Sequence, residues 1–239
     1  MSRRADRVAR ICGWFLASVT ALCANASAQT RDDGGLWAMW FAQGDFSSFG
    51  DDFKQVRWFF DAQDRNRDEG QSFDTFFVRP ALGYAWNARV TTYLGYAAIE
   101  SEPANRSPIW EHRVFQQLTW NLPVQGFTLQ SRTRLEQRFI DGESDTGSRL
   151  REFVKATVPL RSGNSLFASV YDEVFVDLND TEWGQRTGLR QNRAFVGLGF
   201  FLDDAHHHSL EIGYLNQWVD RPDEDRLNHI LSINLFSNF

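Results

Sequence analysis

The last thirteen residues of the chain, Leu227 to Phe239, alternate between apolar and polar side chains and end on an aromatic residue. Successive side chains of an extended strand point to opposite faces, so the segment predicts a two-sided strand. One face carries Leu231, Ile233, Leu235 and Phe239, and the other carries Asn228, Ser232, Asn234 and Asn238. A strand of this kind must separate an apolar environment from a polar one.

The amino terminus has the three parts of a secretory signal peptide. A basic region contains Arg3, Arg4, Arg7 and Arg10, and an apolar segment runs from Ile11 to Ala24. Ala26-Ser27-Ala28 then forms a small-x-small cleavage site before Gln29. We therefore predict a Sec-type signal peptide at residues 1–28 and one mature domain at residues 29–239. Both cysteines, Cys12 and Cys23, fall within the signal peptide, and Leu22 before Cys23 argues against lipidation.

The charge and hydropathy of the mature chain exclude some classes of protein. Without the signal peptide the chain has 21 basic and 30 acidic residues, so its net charge is about −9, which excludes nucleic acid as a natural partner. The mean hydropathy is −0.43, and no stretch after Ala28 is long and apolar enough for a membrane-spanning helix. A polar chain with 15% aromatic residues is typical of strands that face lipid on one side only.

Alternating patterns predict eleven strands of about the length that crosses a membrane. They are Leu36 to Phe46, Phe53 to Gln63, Phe73 to Trp86, Val90 to Ile99, Trp110 to Leu122, Phe127 to Phe139, Arg149 to Leu160, Ser165 to Val176, Leu189 to Leu202, Ser209 to Trp218 and Leu227 to Phe239. Tight connections alternate with longer acidic ones, as periplasmic turns and external loops do in bacterial barrels. Because such barrels have an even number of strands, we expect twelve, or ten if the first segment is not a full strand.

The faces of individual strands favour a barrel over a soluble β-sandwich. The third strand has the unbroken apolar face Phe76, Val78, Pro80, Leu82, Tyr84 and Trp86, and the ninth has Ala194, Val196, Leu198, Phe200 and Leu202. A sandwich would show the same alternation. The opposite faces decide between them, because they carry charged residues: Arg79, Glu111, Arg113, Arg132, Arg134, Glu136, Arg138, Arg149, Arg151, Lys155, Glu173, Arg193 and Glu211. We predict an all-β, transmembrane, antiparallel up-and-down barrel with these side chains in its lumen.

The spacing of the charges predicts cross-strand ion pairs. If Val124-Gln125 forms a two-residue turn, Glu111 lies opposite Arg138 and Arg113 lies opposite Glu136. Across the next loop Glu136 can reach Arg151, which can reach Glu173. In this register Arg132 faces Gln117. Two outward carboxylates, Glu152 and Asp172, do not fit the pattern, so we expect them near the outer rim or at a bulge.

Several segments resemble one protein family in order along the chain. They are Arg79-Pro80-Ala81-Leu82-Gly83-Tyr84, Glu111-His112-Arg113, Arg132-Thr133-Arg134-Leu135-Glu136-Gln137-Arg138, Tyr171-Asp172-Glu173, Leu178-Asn179-Asp180, Gln191-Asn192-Arg193 and Glu211-Ile212-Gly213-Tyr214. From about Gly35 to Phe239 the chain is similar to the domain of unknown function 2490 family. The resemblance implies a signal peptide, an outer-membrane barrel and a final Phe, and it implies no activity.

Three functional hypotheses follow for a protein in the outer membrane of a Gram-negative bacterium. The first is a structural barrel or narrow pore, whose nine lumen cations against four acids would favour a small anionic solute. The second is a lipid-modifying enzyme, which we do not expect, because none of the five histidines lies in a recognisable Ser-His motif. The third is adhesion or cation bridging by acidic loops, such as the loop with Asp141, Glu143 and Asp145.

The expected partners follow from the barrel prediction. They are outer-membrane lipids, periplasmic chaperones and the barrel-assembly machinery, for which Phe239 resembles the assembly signal. We expect no cofactor and no metal site, and for the run His206 to His208 we favour a solvated turn over a weak metal site.

Overall fold

Short polar turns divide the chain into strands that pair with their neighbours in sequence order. The computed structural model describes residues 30–67, 72–103, 107–160 and 165–239, so the signal peptide predicted at 1–28, with Cys12 and Cys23, lies outside the described residues. The strands are β1 (Thr30–Asp45), β2 (Val56–Arg67), β3 (Ser72–Ala85), β4 (Val90–Ser101), β5 (Ile109–Val124), β6 (Phe127–Ile140), β7 (Gly147–Pro159), β8 (Leu166–Asp177), β9 (Gly188–Phe201), β10 (His208–Val219) and β11 (Asp225–Asn238). In the described residues no helix is long and apolar enough to cross a membrane.

The eleven strands close into one barrel, in which β1 lies between β2 and β11. We call the end with connections 86–89, 125–126, 160–165 and 202–207 the turn end, and the opposite end the loop end. The connection 46–55, which contains two short 3-10 turns (Ser47–Phe49 and Asp51–Phe53), also lies at the turn end. Thr30 lies at the loop end and Phe239 at the turn end.

The barrel closes through a parallel pair of strands. Thr30 of β1 lies opposite Asp225 of β11, and Gln43 lies opposite Asn238. All other neighbouring strands are antiparallel. Because an odd number of up-and-down strands brings the first and last together in the same direction, the parallel pair follows from the count of eleven. The predicted all-β, up-and-down barrel of about ten to twelve strands is confirmed. The expectation of an even number of strands was wrong, and one pair of neighbouring strands is parallel where the prediction was antiparallel.

The β5–β6 hairpin differs from the predicted register by two residues. The turn consists of Gln125 and Gly126, and Val124 lies opposite Phe127. Gly126 has φ 96°, a left-handed conformation that glycine adopts without steric cost, so the turn forms here and not at Val124-Gln125. Glu111 consequently lies opposite Ile140, and Arg132 lies opposite Thr119. A shift of two residues leaves every side chain on its predicted face.

The outer surface of the barrel is largely apolar. Leu82 on β3 is 61% exposed and Trp86, directly after β3, is 64% exposed, and Val196, Leu198 and Leu231 are exposed on β9 and β11. These residues belong to the apolar faces expected for those strands. On β11 the opposite face is buried, including Ser232 and Asn234.

Two outward carboxylates break this apolar surface in the middle of their strands. Glu152 is exposed on β7 and accepts hydrogen bonds from the hydroxyls of Ser131 (2.8 Å) and Thr133 (2.5 Å). Asp172 on β8 accepts hydrogen bonds from Asn192 at 3.0 and 3.1 Å. The expectation of a rim or bulge position was wrong, because polar neighbours on adjacent strands satisfy both carboxylates.

Aromatic side chains fill part of the interior where a facing glycine leaves room. Phe115 on β5 is fully buried and packs with Phe59 and Ala81. A Cβ atom placed on Gly95 of β4 would lie 2.1 Å from Cζ of Phe115. Glycine at this position therefore allows the ring to lie against the β4 backbone.

We predict that Gly95→Ala lowers the free energy of unfolding by about 1–3 kcal/mol, because the added methyl group must displace the Phe115 ring. Thermal or denaturant unfolding in detergent micelles measures the effect. The control is a double-mutant cycle with Phe115→Leu, in which the smaller side chain should remove much of the cost of Gly95→Ala. Strictly additive effects would show that the ring does not lie against Gly95.

Candidate functional site: the charged interior

The charged side chains predicted for the lumen lie on the buried face of their strands. Glu136 on β6 is only 1% exposed and is approached by three arginines. Nη1 of Arg151 lies 2.6 Å from its Oε1, and Nη1 of Arg113 lies 3.2 Å from its Oε2. Nη1 of Arg134 lies 3.7 Å from Oε1. Glu136 is thus the carboxylate that links β5, β6 and β7.

A second carboxylate, Glu111, binds two arginines nearer the loop end. Nε of Arg113 lies 2.8 Å from its Oε1, and Nε of Arg138 lies 2.6 Å from the same atom. The structure therefore contains the predicted contacts Glu111–Arg138 and Arg113–Glu136, although neither pair is directly opposite. Long side chains on one face can reach the diagonal position on the next strand, which explains why the contacts survive the change of register.

A third carboxylate, Glu173 on β8, extends the network toward β9. Its Oε1 accepts from Nη2 of Arg132 at 2.6 Å and from Nη2 of Arg151 at 2.7 Å. Nη1 of Arg193 lies 3.9 Å from its Oε2. The expected chain from Glu136 through Arg151 to Glu173 is therefore present as contacts. Arg149, which is also a predicted lumen residue, donates to Asp177 at 2.6 Å.

The remaining predicted cations have partners that the sequence analysis did not identify. Arg79 pairs with Asp61 on β2, and Nε and Nη2 of Arg134 both donate to Oε1 of Gln117. Asp61 lies on the same face of β2 as Phe59 and Gln63. The alternation of side chains along β2 could therefore have identified Asp61 as an inward residue. Asp177 continues the face of Glu173 beyond the predicted end of β8 at Val176. Extending the strand by one residue would have added it to the network.

Aromatic rings cover several of the guanidinium groups. The Arg65 guanidinium lies 4.2 Å from the centre of the Trp37 ring, and that of Arg134 lies 4.4 Å from the centre of Phe115. Arg132 lies 4.4 Å from the centre of Phe153. Arginine stacks favourably on such faces, so the rings stabilise charges that are removed from bulk water. Arg65, which was not among the predicted lumen residues, belongs to this set.

A cavity of about 390 Å³ occupies the half of the barrel nearer the turn end. Gln43, Thr128 and Asn238 line it close to the turn end. At mid-barrel its wall contains six arginines: Arg65, Arg79, Arg132, Arg134, Arg151 and Arg193. The carboxylates that line it are Asp61, Glu173 and Glu211. Glu111, Glu136 and Arg138 lie on the loop side of this cavity.

The β8–β9 loop packs over the loop end of the network. Gln185 is buried, and its Oε1 accepts from Nη1 of Arg138 at 2.9 Å. Its Nε2 donates to the carbonyl oxygens of Ser148 (3.2 Å) and Asn179 (3.0 Å). Trp183 lies against the Arg138 guanidinium, with 5.1 Å between the ring centre and Cζ. One loop thus joins the ion pairs of β6 to the backbone of β7.

Acidic residues of the loops act as hydrogen-bond acceptors between loops. The hydroxyl and amide of Ser144 donate to Glu182 at 2.6 and 2.8 Å and lower the pKa of this carboxyl. The amide and hydroxyl of Thr187 similarly lower the pKa of Asp180. These bonds tie the loop after β8 to itself and to the loop after β6.

The histidines lie at the two ends of the barrel. His112 accepts or donates a hydrogen bond with the Tyr96 hydroxyl, and its Nε2 lies 3.3 Å from Asp141. In the turn-end run, the His206 ring stacks on Phe201 and the amides of His207 and His208 donate to Asp203. Within the described ranges, no three His, Cys, Asp or Glu side chains are grouped closely enough to hold a metal ion.

The terminal aromatic lies at the turn-end rim. The amide of Phe239 donates to the carbonyl oxygen of Gln43 at 2.9 Å, and its ring stacks on Trp58 with 6.0 Å between centres. The residue is 71% exposed. Phe239 therefore joins the parallel β1–β11 pair while leaving most of its side chain accessible.

Comparison with known proteins places this arrangement in a family. Residues 34–228 match the family described as protein of unknown function (DUF2490). The chain belongs to this family. It is also 37% identical over 219 residues to an uncharacterized protein of Methylorubrum extorquens, which covers 90% of this chain and 92% of that protein. No solved structure matches it. The resemblance identified from the sequence motifs is confirmed, and the eleven-stranded barrel gives this member of the DUF2490 family its fold.

We predict that Glu136→Ala lowers the free energy of unfolding by about 3–5 kcal/mol, because it leaves Arg113, Arg134 and Arg151 without their shared carboxylate. The matched variant is Arg132→Ala, which should cost much less, since Glu173 keeps Arg151 as a partner. Thermal unfolding of the two refolded variants in micelles compares them. Equal, small changes in melting temperature would show that the network contributes little to the folded state.

Proposed function

We propose that this DUF2490 protein is an outer-membrane barrel whose interior is closed at the loop end, so that it acts as a structural barrel with a blind cavity and not as an open channel. The observation that carries the proposal is the ion-pair network on the loop side of the cavity. Glu111, Glu136 and Arg138 occupy this position and are covered by Gln185.

The apolar outer surface supports a position in a lipid bilayer. Exposed Leu82, Trp86, Leu94, Leu198 and Leu231 lie on several strands around the barrel. Soluble monomers rarely expose continuous apolar surfaces of this kind, and a closed barrel satisfies its backbone hydrogen bonds without water. The signal peptide predicted at residues 1–28 supports export from the cytoplasm. Together these features favour the outer membrane of a Gram-negative bacterium.

The closure follows from the density of ion pairs in the loop half of the interior. A water-filled channel would need a continuous path, but this region contains buried side chains that bind one another across β5 to β8. Glu111, Glu136 and Asp177 are each less than a tenth exposed. A barrel of about eight strands is commonly filled by its own side chains, and channels open at about 16 to 18 strands. Eleven strands lie closer to the filled class.

We expect the refolded mature protein to show no steady ionic current in planar bilayers, because the loop-end network blocks the path. An open bacterial porin reconstituted in the same way is the positive control. A steady, anion-selective current would show that the interior is a pore. The location is tested separately by cell fractionation, in which recovery of the mature protein in the soluble periplasmic fraction would contradict a membrane barrel.

We expect Phe239→Ala to reduce the amount of protein inserted in the membrane more than it reduces the stability of the inserted barrel. The side chain is mostly exposed, so its loss removes little packing, whereas the assembly machinery is expected to read it. Outer-membrane levels by immunoblotting and melting of the purified protein measure the two effects. Trp58→Ala, which removes the ring stacked on Phe239, is the packing control. Unchanged membrane levels of Phe239→Ala would refute the role in assembly.

A further inference from the structure

Six arginines line the cavity at mid-barrel. Arg79 and Arg151 each lie close enough to Arg65, Arg132 and Arg134 to repel them electrostatically, and Arg193 repels Arg65 in the same way. All six line the cavity. The cluster is therefore a concentration of positive charge at the bottom of an accessible space, in the interior of a chain whose mature net charge is about −9.

The nearby carboxylates do not balance this charge. Glu173 is shared by Arg132, Arg151 and Arg193, and Asp61 is paired with Arg79. Glu211 is used by Lys155 at 2.5 Å. Glu136, on the loop side of the cavity, also pairs with Arg151 at 2.6 Å and lies 3.7 Å from Arg134. Even with Glu136 included, seven cations face four carboxylates. Like charges that are removed from water and not fully neutralised are unfavourable. The cavity wall therefore has an excess of positive charge that a bound anion would neutralise.

Three buried hydrogen-bond donors in this cluster have no acceptor among the residues that the structure describes. They are Nε of Arg65, Nε of Arg132 and Nη1 of Arg134, and each is shielded from solvent. Arg134 is 2% exposed and donates its other guanidinium hydrogens to Gln117. Within the described part of the chain Arg65 makes no ion pair, and its Nη2 donates to Gln63 at 2.8 Å. Buried donors of this kind normally have a partner.

From these three observations we infer that the cavity binds a phosphate group, presented by a small solute that enters from the turn end. Arginine forks match the oxygens of phosphate, and a tetrahedral dianion offers acceptors to guanidinium groups on several sides at once. Arg65 and Arg132 would bind it directly through their Nε atoms, and Arg79, Arg134, Arg151 and Arg193 would supply the surrounding positive field. The phosphate site requires only the arrangement of side chains inside the barrel. It does not rest on the proposal that the protein lies in the outer membrane, or on the proposal that its loop end is closed.

The test is calorimetric titration of the refolded mature protein in micelles with inorganic phosphate and with glycerol 3-phosphate, at constant ionic strength set by chloride. We expect saturable binding, with at least a tenfold loss of affinity in Arg65→Gln and in Arg132→Gln. Neither variant should lose its fold, because Arg65 forms no ion pair with a carboxylate of the described residues and Glu173 retains Arg151. A melting curve of each variant verifies this.

Arg190→Gln is the charge-matched control. Arg190 pairs with Asp220 at the loop end and does not line the cavity, so its replacement should leave the affinity unchanged. A soluble short-chain phosphatidic acid distinguishes the source of the phosphate, and binding of this lipid in place of glycerol 3-phosphate would assign the site to a lipid headgroup. No heat of binding for any phosphate compound, or equal affinity in wild type and Arg65→Gln, would overturn the inference.

Discussion

The pairing of buried charges is the constraint on which this barrel depends. A closed sheet has one inner face, and in this chain the inner face carries arginines and carboxylates where a soluble protein would carry aliphatic side chains. Removing such charges from water costs several kcal/mol for each ion, so the fold is stable only if each carboxylate has close partners. Glu111, Glu136 and Glu173 meet this requirement because each pairs with two or three arginines of its own strand or of strands one or two positions away. The same network joins β5 to β8 and lies on the loop side of the cavity.

The interior is divided into two regions of different character. In the loop half, cations and carboxylates form ion pairs with one another, and Gln185 of the β8–β9 loop accepts a hydrogen bond from Arg138. At mid-barrel, where the cavity begins, arginines predominate and aromatic rings replace some of the carboxylates as their neighbours. Stacking on Trp37, Phe115 and Phe153 stabilises a guanidinium without neutralising it. The barrel can therefore hold a positive cluster next to a cavity because rings, and not acids, pack against it.

Much of the architecture could be predicted from the sequence because alternation with a period of two is a local signal. It predicted eleven strand segments, the faces of β3, β9 and β11, and most of the inward charges, although it missed Asp61, Arg65 and Asp177. The register of the β5–β6 hairpin could not be predicted in the same way, because shifts by two residues preserve every face and the turn was decided by the left-handed conformation of Gly126. Gln185 was missed because a loop residue has no periodic pattern.

The sequence also did not predict that the barrel closes through a parallel pair of strands, β1 and β11. The even strand number of bacterial barrels is a regularity of known proteins, and nothing local in β1 or β11 opposes a parallel pair. Both β1 and β11 have an apolar outer face and a polar or aromatic inner face, whichever way the two strands run relative to each other. The parallel pair Leu36–Leu231 and Met39–Asn234 satisfies this alternation as well as an antiparallel pair would.

The most direct test of a barrel with lipid outside and a polar interior is fluorescence quenching by brominated lipids. Residues 29–239 contain no cysteine, so in a protein of these residues a single cysteine can be introduced and labelled at Leu94 or Leu231 outside and at Thr91 or Asn234 inside. Strong quenching at Leu94 and Leu231 and little at Thr91 and Asn234 is the predicted result. Equal quenching on both faces, or none at Leu94 and Leu231, would contradict a membrane barrel with this inside and outside.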